Sequence, residues 1–195
     1  MIEAYVRPIF QRYCVDSLAS LICDRTTWTP NSITFAALIA GILSGACIVL
    51  HWSWLAVVFL WLSGYFDVLD GSVARLRQHS SEAGAVLDIV VDRVVEFIVL
   101  LALFSIDAAT RGYAVIWMLG SNVLCITSFL VVGIFTQNSG KKSFHYSAGL
   151  MERAEAFIFY SIMIFIPIWF GVLAFVYVLL VLWTTGFRIF QFLET

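Results

Sequence analysis

The chain of 195 residues is 62% hydrophobic and only 12% charged, with a mean hydropathy of +0.95. That balance excludes the soluble globular class and points to an all-α integral membrane protein, for which one helical bundle is enough to use the whole length. The formal net charge of -2 gives no reason to expect a nucleic-acid partner, and Cys14, Cys23, Cys47 and Cys125 form no CxxC pair and read as small core residues.

The first thirty residues carry Glu3, Arg7, Arg12, Asp16, Asp24 and Arg25, which interrupt any apolar core of the kind a cleaved signal peptide needs. Ile2, Tyr5, Val6, Ile9, Phe10 and Tyr13 recur at helical spacing opposite Arg7, Gln11 and Arg12, so residues 1–29 are expected to form an interfacial amphipathic helix before the bundle, or one packed on protein. Thr29 and Pro30 then read as an N-cap and a first-turn proline. A crossing takes about 20 helical residues, and that length divides the apolar runs. The first span is Ile33 to Leu50. The second starts near Trp54 and must continue through Asp67 and Asp70 to about Ala74; the third is Ala83 to Ile106, and the fourth Tyr113 to Phe135. Phe157 to Phe187 is too long for one crossing, and Pro167 and Gly171 mark a break, so the fifth helix is placed from near Gly149 and the sixth to about Phe192. The expectation is a single domain over 1–195, with six transmembrane helices filling 30–192.

With the N terminus inside, Arg7, Arg12, Arg25, Arg75, Arg77, Arg93, Lys141, Lys142, Arg153 and Arg188 all fall on one side, and Arg111 falls on the other. The positive-inside bias makes that side cytoplasmic, so both termini and the aspartates are expected there. Asp107 and Arg111 are expected in an outer loop as a solvated pair.

Four carboxylates stand out against this background. Asp67 and Asp70 are three apart and Asp88 and Asp92 four apart, so each pair lines one face of its helix, and a short link can bring the two faces together. Such a cluster is unfavourable without a counter-ion, because a mid-membrane Asp costs about 2.5–3.5 kcal/mol on insertion scales and like charges repel. Oxygen-only ligands point to Mg²⁺ or Mn²⁺, as one or two ions. Gly71, Ala74 and Gly84 flank the acids with small residues, and Arg75 can fork onto phosphate oxygens, a combination that suits a pyrophosphate. The bland alternative is helix-end pairing of the acids with Arg75, Arg77 and Arg93, which predicts neither the glycines nor the spacing.

The pattern Asp67-x2-Asp70-Gly71-x2-Ala74-Arg75-x8-Gly84-x3-Asp88-x3-Asp92 resembles the complete signature of the CDP-alcohol phosphotransferase family. The resemblance implies six transmembrane helices after a juxtamembrane helix, a homodimer, a site open to the cytoplasm, and a place in the bacterial inner membrane. It implies CDP-diacylglycerol as donor and a small polar alcohol as acceptor, with CMP released. Asp67, Asp70 and Asp88 would hold the metals, and Asp92 would be the general base and touch a metal. Arg75 and Gly71 would meet the donor pyrophosphate, with Ala74 and Gly84 beside it. Thr29, Pro30, Asn31 and Ser32 would lie near the cytidine, and Ser81 would also touch the donor.

For the acceptor, Lys141, Lys142, Arg153 and Arg188 form a basic set, which an anionic alcohol or anionic lipid headgroups could equally meet. "GLMERAE" and "GAVLDIVVDR" are similar to the phosphatidylinositol-phosphate synthase branch, which carries Lys and Arg at the inner end of helix four; here Phe135 and Gln137 stand at that place. The acceptor therefore stays open. The competing class is a membrane cation transporter or channel, which would spread its acids through the membrane depth, whereas these gather at one end.

Overall fold

A computed structural model describes residues 11, 15–78, 81–135 and 150–194. The helical pattern of residues 2–13, and Lys141, Lys142 and Gln137, lie outside the described residues, apart from Gln11. All described regular structure is helical: α1 (Asp16–Arg25), α2 (Pro30–Val49), α3 (Ser53–Leu76), α4 (Glu82–Ile106), α5 (Ala108–Phe135), α6 (Arg153–Phe165), a 3₁₀ turn over Pro167–Trp169, and α7 (Phe170–Leu193). The chain divides between Ala108 and Ala109 into two units.

The N-terminal unit is built on α2. Thr29 is extended, with φ -81° and ψ 156°, and its Oγ1 accepts from the Ser32 amide at 3.3 Å, while Pro30 supplies the first helical residue without an amide to satisfy. From there α2 is apolar all round, as a helix buried in protein and lipid must be. It packs along both α3 and α4. Two buried hydroxyls fasten it to α3: Ser44 donates to the Ala56 carbonyl and Ser63 to the Ala37 carbonyl, each at 2.8 Å. Hydrogen bonds of this kind between apolar helices contribute about 0.6 kcal/mol each. At the other end Val15, just before α1, and Ala19 within it are buried with Ile33, Leu69 and Val73, and Arg77 donates to the Thr26 carbonyl at 2.8 Å. The described helix of the first thirty residues therefore packs on protein.

Against α4 the contact is made by glycines. A Cβ added to Gly41 would lie 2.6 Å from Val95 Cγ2, and one added to Gly45 2.6 Å from Ile98 Cγ2. Val95 is fully buried and β-branched, so it has no rotamer in which to retreat. Gly41→Leu is expected to lower the unfolding free energy by about 1–3 kcal/mol through overpacking. Gly120, whose added Cβ would meet nothing within 4 Å, is the control: Gly120→Leu should leave the melting temperature within a degree or so of wild type, and equal losses in both variants would remove the packing explanation.

In the second unit a capping box opens α6: Glu152 is the N-cap, and its amide donates to Glu155 Oε2 at 3.3 Å. The break between α6 and α7 falls at Ile166–Trp169, as Pro167 predicts, whereas Gly171 lies within the first turn of α7. Tyr160, Tyr177 and Asn122 join the three helices, with Tyr177 donating to Asn122 Oδ1 at 2.8 Å and the two phenol oxygens 2.8 Å apart. The expected solvated position in an outer loop does not hold for Arg111. Asp107 is the C-cap of α4, and Arg111 lies inside α5, which starts at Ala108; the Arg111 guanidinium is buried over the Phe170 ring, 4.7 Å from its centroid.

Among the described residues, four stretches are long and apolar enough to cross a membrane: Pro30–Val49, Ser53–Leu76, Ala108–Phe135 and Pro167–Leu193. α4 has the length but carries Asp88, Asp92, Arg93 and Glu96, and α6 has 13 residues. Six crossings are thus not established by length and composition, though an all-helical integral membrane architecture is.

Candidate active site

The acids come from the last turns of α3 and the first half of α4. Ser81 turns the chain into α4, its Oγ accepting from the Gly84 amide at 3.0 Å. Glycine at 84 leaves this corner open to α2, because a Cβ there would meet Ser81 Oγ at 3.1 Å and Asn31 Oδ1 at 3.6 Å. Asn31, Ser81 and Gly84 are therefore close neighbours, although they come from the starts of two different helices.

Asp67, Asp88 and Asp92 meet at this end, each offering a carboxylate oxygen within 4.8 Å of the others. All three are partly buried. An octahedral ion with ligands at about 2.1 Å holds oxygens no more than about 4.2 Å apart, so small side-chain rotations suffice to reach ligand spacing. The donor set is oxygen alone, which suits hard cations such as Mg²⁺ and Mn²⁺. Asp70 is not one of this threesome. It is buried to 5% exposure, and its Oδ2 receives the hydroxyl of Thr34, a residue on α2 that sequence reasoning missed. Nothing in a run of apolar helix marks which threonine will face an acid thirty-six residues away.

The basic residues nearby have distinct engagements. Arg93 donates to Glu96 Oε2 at 2.8 Å and approaches Asp92 Oδ2 only at 4.0 Å. Arg75 is exposed and donates to Ser72 Oγ at 2.9 Å, one turn beyond Gly71; a Cβ at Gly71 would meet only its Nη1, at 3.5 Å. Ala74, on the same turn, is partly buried. Arg77 reaches back to α1.

Within the second unit, Arg153 stands in the first turn of α6 over the Phe157 ring at 5.2 Å. Arg188 is buried in α7, where its Nη1 donates to the Cys125 carbonyl at 3.0 Å and to Ser128 Oγ at 3.1 Å. That guanidinium ties α7 to α5, a structural task that sequence spacing gave no sign of.

The profile of the family described as CDP-alcohol phosphatidyltransferase matches residues 27–187. The Escherichia coli K12 inner membrane protein YnjF is 29% identical over 161 residues, 77% of this chain and 76% of that protein. The phosphatidylinositol phosphate synthase of Mycobacteroides abscessus is 28% identical over 138 residues, 69% of this chain but 60% of the synthase. In fold, the chain is similar to the crystal structure of Mycobacterium tuberculosis phosphatidylinositol phosphate synthase in complex with manganese and citrate, with a TM-score of 0.73 at 19% identity over 91% of this chain and 88% of that one. The same mycobacterial protein with CDP-DAG bound gives 0.72 at 21% identity over 91% of this chain and 92% of that one. With the family profile matched from Thr27 to Phe187, the chain belongs to the CDP-alcohol phosphatidyltransferases, integral membrane enzymes that transfer phosphatidyl groups.

Proposed function

We propose that the aspartate-lined end of α3 and α4 transfers a phosphatidyl group from CDP-diacylglycerol to the hydroxyl of a small polar alcohol and releases CMP. The observation that carries this reading is the meeting of three carboxylates, Asp67, Asp88 and Asp92, at the end of the unit that also holds Gly71 and Arg75. Asp67, Asp88 and Asp92, joined by Asp70, would hold one or two Mg²⁺ or Mn²⁺ ions. Such an ion, when bound, would neutralise the charge that grows on the departing CMP phosphate.

The remaining work falls to the chain. Arg75 forks onto a pyrophosphate oxygen, and Gly71 with Ala74 lets the phosphate approach the α3 backbone. Thr29, Pro30, Asn31 and Ser32 at the head of α2, with Ser81 and Gly84 at the head of α4, form the surface on which the cytidine sits. Asp92 takes the proton from the acceptor hydroxyl as its oxygen attacks the lipid-bearing phosphorus; the bond from that phosphorus to the bridging oxygen breaks, and CMP leaves. Arg153 and Arg188, with Lys141 and Lys142, are the candidate acceptor residues.

In the membrane, we place six crossings, with α4 and α6 added to the four apolar stretches, both termini and the site on the cytoplasmic side, and the protein working as a homodimer in a bacterial inner membrane. α4, at about 1.5 Å per residue, is about 37 Å long and can span the hydrocarbon core despite its charges. The deciding experiment incubates purified protein with CDP-diacylglycerol, Mn²⁺ or Mg²⁺ and a panel of alcohols, and follows CMP. Release with one alcohol alone names the acceptor; no release with any, from protein shown to bind CDP-diacylglycerol, would remove the proposed reaction.

A further inference from the structure

Thr34 sits one turn inside α2 and is 4% exposed. Its hydroxyl has a single hydrogen and two acceptors within reach: the Pro30 carbonyl of its own helix at 3.1 Å and Asp70 Oδ2 of α3 at 2.5 Å. The shorter contact, to the acidic acceptor, lies in the range of a charge-assisted O–H···O⁻ bond, which is about twice as strong as a neutral one. The neighbours of both residues lock this arrangement. Ile33, next to Thr34, is buried with Leu69, next to Asp70, and with Val73 one turn on. α2 therefore cannot slide past α3 without breaking an apolar contact, and the hydroxyl meets the carboxylate in one register.

We infer that Thr34 is a positioning residue for Asp70, holding its carboxylate in one orientation so that the motif's second aspartate is a preset donor to a divalent cation. The inference rests on the reading of Asp70 as a metal ligand. A carboxylate with one oxygen held by a buried donor cannot spin about its last torsion, so little orientational entropy is lost when an ion arrives. Outer partners of metal ligands act in this way, and their removal typically weakens metal binding by about 10–100-fold.

The test uses purified full-length protein without lipid substrate. Mn²⁺ is titrated in, and the free ion is followed by its electron paramagnetic resonance signal. Thr34→Val, which keeps the shape and loses the donor, is expected to bind Mn²⁺ at least tenfold more weakly, and Thr34→Ser to bind within about threefold of wild type, with all three proteins folded in EDTA and the valine variant melting lower for want of the bond. Wild-type Mn²⁺ affinity in Thr34→Val, or a Thr34→Ser protein as weak as the valine variant, would overturn the role. So would loss of the EDTA-state fold in both Thr34→Val and Thr34→Ala, since the contact would then serve stability alone. Asp70→Asn separates the two levels. If it leaves Mn²⁺ affinity untouched, the assignment of Asp70 fails and Thr34 falls with it; if it weakens Mn²⁺ while Thr34→Val does not, only the positioning role is lost.

Discussion

An Asp92→Asn protein is expected to bind CDP-diacylglycerol nearly as well as wild type and to release CMP about 10²–10⁴ times more slowly. The amide keeps the size of the side chain and one oxygen facing Asp67 and Asp88, so the shape of the site survives. What it loses is the capacity to accept the proton from the acceptor hydroxyl, without which the attacking oxygen would carry a positive charge as it bonds to phosphorus. Arg93 cannot take over, because it is a cation already engaged with Glu96. The measurement is single-turnover CMP release at saturating alcohol beside equilibrium binding of the CDP-lipid. Turnover within about tenfold of wild type would take the base role away from Asp92.

The second large effect concerns Asp88, which shares the cluster with Asp67 and Asp92. Three carboxylates within 4.8 Å repel one another, on the order of 3 kcal/mol per ionised pair at an effective dielectric of about 20. Asp88→Asn removes one charge from that cluster. In EDTA the variant should therefore melt at or above the wild-type temperature, because the repulsion falls while the packing of α4 is untouched. With Mn²⁺ the order reverses: the ion stabilises wild type by mass action, and the variant, lacking a charged ligand, gains little. Transfer should be lost together with the Mn²⁺-dependent rise. A variant that keeps the wild-type rise with Mn²⁺ would show that Asp88 is not a ligand, and one that melts well below wild type in EDTA would show that its charge serves the fold.

How much of this could be read from residues alone differs by feature. The meeting of Asp67, Asp88 and Asp92 was legible because helical periodicity turns spacings of three and four into shared faces, whereas Asp70 stands outside that threesome; a continuous α3 through Asp67 and Asp70 was forced by the length of a crossing. The Thr29–Pro30 start of α2 and the break at Pro167 were legible for the same kind of reason, since caps and prolines act within one turn. What stayed hidden depends on which face of an apolar helix meets which partner. In α2 every residue from Ile33 to Val49 is small, hydroxylated or apolar, so hydropathy says nothing of direction. Thr34 facing Asp70, Ser44 facing the Ala56 carbonyl, and Gly41 under Val95 emerge only when α3 and α4 are laid against it. Arg111 was misplaced for a related reason: a charge between two apolar runs was taken for a loop, but α5 extends five residues ahead of Tyr113, and an arginine can lie along an aromatic ring instead of in water. The second unit's Arg188 repeats the lesson, its guanidinium serving helix contacts that no spacing rule announces.

The glycine seam between α2 and α4 makes the chemistry hostage to a part of the protein that touches no substrate. Val95 follows Asp92 by three residues, about 4.5 Å along the helix axis, so a side chain pushed outward from Gly41 moves the segment that carries the proposed base. Shifts of about 1 Å at a reacting group cost about a hundredfold in rate. A genetic screen that scored only lipid product would therefore file Gly41 and Gly45 substitutions beside those of the aspartates, and only a count of folded protein would reveal that the lesion lies in a buried seam, in the spacing between two backbones.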